Sequence, residues 1–399
     1  MSKNISPEIL ILWPETTKQP SYTEYNFGLG FCKNQLNLSL LNNNITFNWH
    51  NYSPANEQIN VDLNVRFVLI VKDPMVLINA LTLISMMQLI DNGFDGVGPC
   101  FSNSQFPFQV GSPIFIPFNT STYLELTDHF KTNMNLATQD VDQLDGICAL
   151  FSIDYFTSQL NLNVNSKESY YLPATPDSRF GVLKNSYVFT FADSDDQVRH
   201  DLIKLVPENC KSLLDIGCSF GSLGKAIHKI SPSTIIDGIE PNRLKAKLAS
   251  QFYNEIFTLG IEEFPSQKKY DCIICGDVLE HLLDPEEQLK HISSFLNTSG
   301  YLIVSVPNAG HWTLVADTAN GIFEYLPWGL SCITHYHWFT EQTIIKAIED
   351  AGLRIINIER QQTEPSPKGK IFIKNMIESN CGNEQSLLTN EFIIKAIKE

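Results

Sequence analysis

The chain has 399 residues, 43% of them hydrophobic and 18% charged, which is the composition of a folded protein and excludes a disordered one. Forty-four acidic side chains against 28 basic ones give a formal charge of −16. That charge argues against a nucleic-acid or anionic-membrane footprint and favours a small-molecule or neutral glycan acceptor. The length suggests two domains, each able to bury its own core. The first 14 residues carry no basic stretch followed by a long apolar run, and no later apolar run approaches the roughly 20 residues of a spanning helix. The expected location is therefore cytoplasmic, without a membrane span. Nine scattered cysteines fit reduced thiols. Cys272 and Cys275 have metal-site spacing, but they lie in an apolar run where alternation sends the two sulfurs to opposite sides.

In chain order, Ile9 to Trp13 and Phe67 to Val71 are short apolar runs that read as buried strands, and Leu77 to Ile90 reads as a buried helix. Tyr22 to Leu63 is rich in Asn, with Ile45, Phe47 and Trp49 alternating, and is expected to form antiparallel strands and loops. Gly96-Val-Gly-Pro99 and Leu144 to Phe151 place glycine beside apolar residues. The pattern is α/β.

From Phe67 to Phe156 these pieces faintly resemble the later half of a family 2 glycosyltransferase. The resemblance implies a cation-binding Asp-x-Asp pair at a strand end, but Asp140-Val-Asp142 precedes the Leu144 strand instead of ending one. A degenerate glycosyltransferase-like α/β accessory domain over 1–160 is the expectation, followed by a Pro- and Asn-rich connector over 161–192. Within that connector, Tyr187 to Phe191 reads as a short strand or a ligand-covering arm. Asp193 to Val206 is then expected to be a helix capped by Ser194.

The stretch from Lys211 to Gly224 organises the second half. Leu213, Leu214 and Ile216 form a strand that passes into a helix through a turn bearing Gly217 and Gly221. Without a Cβ these residues admit positive φ and close approach of a ligand, while the opening N–H groups of the helix stay available. Strands and helices then alternate to Val306, as right-handed βαβ units on one parallel sheet require. Glu240 ends the strand after the glycine loop, where its carboxylate can accept both hydroxyls of a ribose.

Four motifs agree in order with class I S-adenosylmethionine-dependent methyltransferases: Leu214-Asp-Ile-Gly-Cys-Ser-Phe-Gly221, Gly238-Ile-Glu-Pro241, Asp271 to Leu282, and Gly300 to Asn308. Asp277 to Pro285 and His335 to Thr340 resemble a subgroup near ubiquinone-pathway O-methyltransferases and enzymes of surface-polysaccharide synthesis. The resemblance implies a Rossmann-like seven-stranded domain over 193–377 and S-adenosylmethionine as cofactor. It assigns the methionine end to Asp215 and Gly217, the ribose to Glu240 and a cofactor wall to Gly276 and Asp277. Cys218, Ser219, Gly221, Pro241, Ile261 and Val278 complete the expected contacts.

Two residues depart from the family pattern. Ser219 adds a side chain where a glycine usually allows the closest approach, so Ser219→Gly is expected to bind cofactor at least as tightly; a serine is tolerated there while its φ stays negative. Gly260-Ile261 lacks the acid that accepts from adenine, leaving Glu262, Glu263, or stacking and backbone contacts.

A hydroxyl acceptor benefits from a base, and the candidates are His281, His311, His335 and His337, with Glu280 as an orienting or metal-binding carboxylate. No dedicated metal site is expected. Aromatic residues crowd Asn308 to Phe339, which reads as a lid or as a satellite core. Lys370 to Met376 is expected to be the antiparallel neighbour of a Leu353 strand, and 378–399 a C-terminal helix serving packing or a homodimer. The functional expectation is O-methylation of a small hydroxyl-bearing acceptor such as a sugar in surface-glycan synthesis. The alternatives are a non-catalytic cofactor-sensing scaffold and a bifunctional glycosyltransferase and methyltransferase.

Overall fold

The computed structural model describes residues 8–14, 23–52, 64–72, 75–101, 109, 119–132, 136–145, 147–160, 171–190, 198–265 and 267–399. The chain divides into two compact units, 1–192 and 193–399. Among the described residues no helix is long and apolar enough to cross a membrane.

The first unit contains β1 (Ile9–Pro14), α1 (Thr23–Asn42), β2 (Phe47–Tyr52), β3 (Phe67–Val71), β4 (Val76–Leu77), α2 (Ala80–Asp91), β5 (Gly96–Phe101), α3 (Thr120–Thr132), β6 (Thr138–Val141), β7 (Gln143–Asp145), β8 (Cys148–Ser152), α4 (Ile153–Tyr155), β9 (Tyr171–Pro173) and β10 (Phe180–Thr190). Its main sheet runs β2-β1-β3-β8-β5-β10-β4, with β6 on β10. β8 lies antiparallel between β3 and β5. The expected strands at Ile9 and Phe67 and the buried helix α2 are present. The antiparallel reading of Tyr22 to Leu63 is corrected over its described part, 23–52: α1 crosses from β1 to β2, and those two strands are parallel, while Tyr22 and 53–63 lie outside the described residues. Cys32, Leu36 and Leu40, spaced by four, form the buried stripe of that helix, a period that the abundant Asn residues mask in the sequence. Of the connector expected over 161–192, residues 161–170 and 191–192 lie outside the described residues, and the described part is corrected. β10 supplies the sheet with an 11-residue strand, and Tyr187 lies inside it. Asp140 pairs with Arg179 at 3.1 Å on the surface, an ordinary exposed ion pair.

The second unit contains α5 (His200–Ile203), β11 (Ser212–Ile216), α6 (Ser222–Ile230), β12 (Ile235–Ile239), α7 (Arg243–Ala249), β13 (Glu255–Phe257), β14 (Tyr270–Gly276), α8 (Pro285–Ser294), β15 (Leu296–Pro307), α9 (Trp312–Ala319), α10 (Glu341–Asp350), β16 (Leu353–Gln362), α11 (Pro367–Glu378), α12 (Glu384–Leu388) and β17 (Thr389–Lys398). The seven strands run β13-β12-β11-β14-β15-β17-β16, parallel except that β17 is antiparallel to both neighbours. Side chains alternate between two cores. Leu214, Ile273, Cys275, Val304 and Ile394 face one, while Leu213, Cys272, Ile274, Ile303 and Ile393 face the other. Cys272 and Cys275 thus point to opposite faces, and among the described residues every cysteine is a free thiol.

The seventh strand comes from a different stretch than expected. Lys370 to Met376 is helical, within α11, because Ser366 caps it, Pro367 opens it, and Ile373, with Phe372, Met376 and Ile377, packs on the cluster around Trp312. The C-terminal helix over 378–399 reduces to α12. Phe392 and Ile394 alternate with Ile393 across the sheet, so Thr389–Lys398 is an inner strand and the domain extends to the end of the chain. The helix expected from Asp193 shortens to α5, which begins after Arg199. Residues 193–197, including the proposed Ser194 cap, lie outside the described residues.

Candidate functional site

The carboxyl ends of β11, β12, β14 and β15 share one rim, the edge where open α/β sheets receive ligands. At the first of these ends the chain must turn sharply from strand to helix. Gly217 (φ +75°), Ser219 (φ +47°) and Gly221 (φ +90°) all take left-handed backbone there. The N–H groups of Gly217 and Cys218 donate to the Ile239 carbonyl at 2.8 and 3.1 Å, tying the loop to the end of β12. The loop is tight as well as bare, since a Cβ on Gly217 would meet Val278 at 2.6 Å and one on Gly221 the Ala249 backbone at 2.9 Å. Ser219 is the exception to the expected negative φ. Its backbone occupies a conformation suited to glycine, and its occluded hydroxyl has no hydrogen-bond partner among the described residues.

Glu240 is buried, and two backbone donors hold it. Oε2 accepts from Ser219 N at 3.0 Å and Oε1 from Asn242 N at 2.8 Å, while Asn242 itself caps α7. A fixed, buried carboxylate beside a glycine-bare loop fits a nucleoside ribose, as the sequence implies. Asp215 is 3% exposed, and its Oδ2 accepts from the Tyr253 hydroxyl at 2.5 Å. That hydroxyl in turn accepts from Gly224 N at 3.0 Å, so Tyr253 joins strand, acid and helix. Burial raises the Asp215 pKa to about 7, with the Tyr253 hydrogen bond opposing and the Glu240 charge adding to the rise. Ile261 is buried in a short turn, whereas Glu262 and Glu263 point to solvent. Pro241 is exposed beside the loop.

Further along the rim, Asp277 (φ +53°) accepts from the Ser305 hydroxyl at 2.9 Å and pairs with Arg199. Arg199 also reaches Glu391 at 2.6 Å and Asp201 at 2.9 Å. Burial, then the Asp277 charge, raises the Glu391 pKa to about 8. Sequence reading missed Arg199, Glu391 and Tyr253, because each comes from a segment remote from the motifs and none forms a local pattern.

One ligand atom from each of Glu280, His281 and His335 lies within 4.8 Å of the others. Glu280 is 1% exposed, its Oε2 has no hydrogen-bond partner among the described residues, and burial followed by the Asp277 charge raises its pKa. The Nδ1 of His281 meets the Thr334 carbonyl at 3.2 Å, and that of His335 meets the Leu330 carbonyl at 3.2 Å. A carbonyl only accepts, so both rings carry hydrogen on Nδ1 and present Nε2 as the basic nitrogen. His335 faces Glu280 at 4.0 Å, and burial lowers its pKa to about 4. These three residues could hold a divalent cation, a donor set that the sequence reading did not assign as a metal site.

His311 and His337 stand outside this group. His311 is fully buried at the start of α9, its Nδ1 is 2.8 Å from the Thr313 hydroxyl, and burial lowers its pKa to about 3. That surrounding is structural. His337 Nε2 reaches the Leu283 carbonyl at 3.0 Å. The aromatic segment divides in two. Trp312 packs against α11 and α12, whereas Phe323 stacks edge-on with Tyr325 (5.3 Å) and Trp338 (5.7 Å) and stays exposed. The N–H groups of Tyr336 and His337 donate to the Glu280 carbonyl at 2.8 and 3.1 Å, which fastens the segment to the histidine pair.

Residues 191–358 match the family model for a methyltransferase domain. The chain is 24% identical over 198 residues to the mitochondrial ubiquinone biosynthesis O-methyltransferase of Candida albicans, covering 47% of this chain and 58% of that one. It is 24% identical over 224 residues to the ubiquinone biosynthesis O-methyltransferase of Xanthomonas axonopodis pv. citri, covering 52% and 91%. To the malonyl-[acyl-carrier protein] O-methyltransferase of Halalkalibacterium halodurans it is 29% identical over 125 residues, covering 27% and 46%. A SAM-dependent methyltransferase structure from Archaeoglobus fulgidus aligns with 50% of this chain and 92% of its own, at 19% identity and a TM-score of 0.38. The family match bears out the resemblance carried by the motifs from Leu214 to Asn308: residues 191–358 are a methyltransferase domain, and S-adenosylmethionine is its cofactor.

Proposed function

We propose that this protein transfers a methyl group from S-adenosylmethionine to a hydroxyl of a small acceptor. The observation that carries the reading is the convergence of Glu280, His281 and His335 on the rim that also holds the glycine loop and Glu240. When bound, the cofactor supplies an electrophilic methyl group on a sulfonium. The chain's part is to align the acceptor oxygen in line with the carbon–sulfur bond and to exclude water. His281 takes the hydroxyl proton at Nε2, since its Nδ1 hydrogen is committed to the Thr334 carbonyl. His335 and the Leu279–His281 turn position that ring, and the exposed faces of Phe323, Tyr325 and Trp338 suit a ring-bearing acceptor, a sugar among them. The O-methyltransferase names of the curated relatives support oxygen as the accepting atom.

Incubation with S-adenosylmethionine and a panel of hydroxyl acceptors, sugars included, is expected to give S-adenosylhomocysteine together with an acceptor heavier by one methyl-for-hydrogen exchange. Cofactor binding without turnover on any acceptor would favour the sensing scaffold instead. Glu240→Gln keeps the size but removes the charge. It is expected to weaken cofactor binding by about 10- to 100-fold, the worth of a charge-assisted hydrogen-bond pair, and to lower the melting temperature, because one amide oxygen cannot accept from both the Ser219 and the Asn242 N–H.

A further inference from the structure

Ser219 carries two local costs that a glycine would avoid. Its φ of +47° lies in the left-handed region, where a Cβ crowds the following carbonyl. Its hydroxyl is occluded from solvent, yet among the described residues no group accepts from it or donates to it. Such a combination in a ligand-binding loop calls for a partner that arrives with the ligand. The position says which part of the ligand. Ser219 N donates to Glu240 Oε2 at 3.0 Å, so the side chain starts one hydrogen bond away from the carboxylate that fits a ribose. A serine hydroxyl turns about a single bond between staggered positions, and it both donates and accepts, as a ribose hydroxyl does.

We propose that the Ser219 hydroxyl is a ribose contact of the cofactor site, acting beside Glu240 and replacing the space a glycine would leave with a hydrogen bond. The proposal rests on the methyltransferase reading. It reverses the expectation that Ser219→Gly binds at least as tightly, because that expectation counted only the space a glycine leaves and no contact from the serine hydroxyl.

Calorimetric titration of the full chain with S-adenosylhomocysteine and with 5′-methylthioadenosine tests it. The second ligand keeps the ribose and lacks the amino-acid tail. Ser219→Ala is expected to weaken both ligands by a similar factor, about 5- to 10-fold. Ser219→Gly is expected to weaken both as well, while the ligand-free protein melts at a higher temperature because the backbone strain is relieved. Wild-type affinity for both ligands in both variants would overturn the proposal, as would a loss confined to S-adenosylhomocysteine, which would place the hydroxyl on the amino-acid tail. Failure of the wild-type protein to bind either ligand would instead contradict the methyltransferase reading itself.

Discussion

His281→Gln is expected to lower turnover by roughly 10²- to 10⁴-fold, the usual contribution of a positioned general base, while leaving the cofactor dissociation constant close to that of the wild type. The ring has the right chemistry on three counts. Its Nδ1 donates to the Thr334 carbonyl at 3.2 Å, which fixes the tautomer. It is only partly buried, so an acceptor can reach it, unlike His335 and His311, which are 7% and 0% exposed. It stands edge-on to His335, with ring centroids 4.8 Å apart, which holds its plane. Glutamine preserves a polar side chain but cannot take the proton. Steady-state rates and calorimetric binding measured on the same preparation separate the two effects. A variant that turns over like the wild type would remove His281 from the chemistry and leave the acceptor oxygen to be activated by another group.

Asp215→Asn should stabilise the protein above neutral pH and leave it unchanged in acid. The carboxyl is buried, and its pKa rises from 3.8 to about 7 in the folded state. The sign follows from proton binding. Between pH 3.8 and 7 the folded state holds a proton that the unfolded state has released, so stability falls as pH rises across that window and is level above it. Each unit of difference is worth about 1.4 kcal/mol, so the ceiling is about 4 kcal/mol. Asparagine has no charge to bury, and its carbonyl oxygen can still accept from Tyr253. Urea unfolding from pH 4 to pH 9 is expected to show a gap between variant and wild type that opens towards pH 7 and then stays constant. Parallel curves with no gap would mean that the carboxylate is better solvated or better paired than the Tyr253 contact alone provides.

Much of the second unit is legible in the sequence because its strands are continuous apolar runs and its turns carry glycine at the strand ends. Leu213 to Gly221 is the plainest case, and Glu240 follows from it by strand spacing. The misreadings have local physical causes. Phe392 and Ile393 sit where helical and strand periods overlap, and the pairing of β17 between β15 and β16 decides the matter, which no local pattern encodes. Ile371 to Ile373 is an apolar run that reads as a strand, but Ser366 and Pro367 start a helix there, a signal present in the sequence and outweighed by that run. In the first unit, the stripe of Cys32, Leu36 and Leu40 is diluted by asparagines of weak helix propensity.

The candidate site shows the same division. His281 and Glu280 lie inside the Asp271 to Leu282 motif and could be named from it, whereas Arg199 and Glu391 meet Asp277 only through the folded sheet. Four histidines look alike in sequence. Burial and hydrogen-bond partners separate them: His335 joins His281 near Glu280, and His311 is buried at the start of α9 against the Thr313 hydroxyl.

The most direct measurement is calorimetric titration of the purified wild-type chain with S-adenosylmethionine, alongside Glu240→Gln. The account predicts one saturable site per chain in the wild type and a clear loss of affinity in the variant. A folded wild-type protein that binds no S-adenosylmethionine, or a variant that binds it equally well, would contradict it.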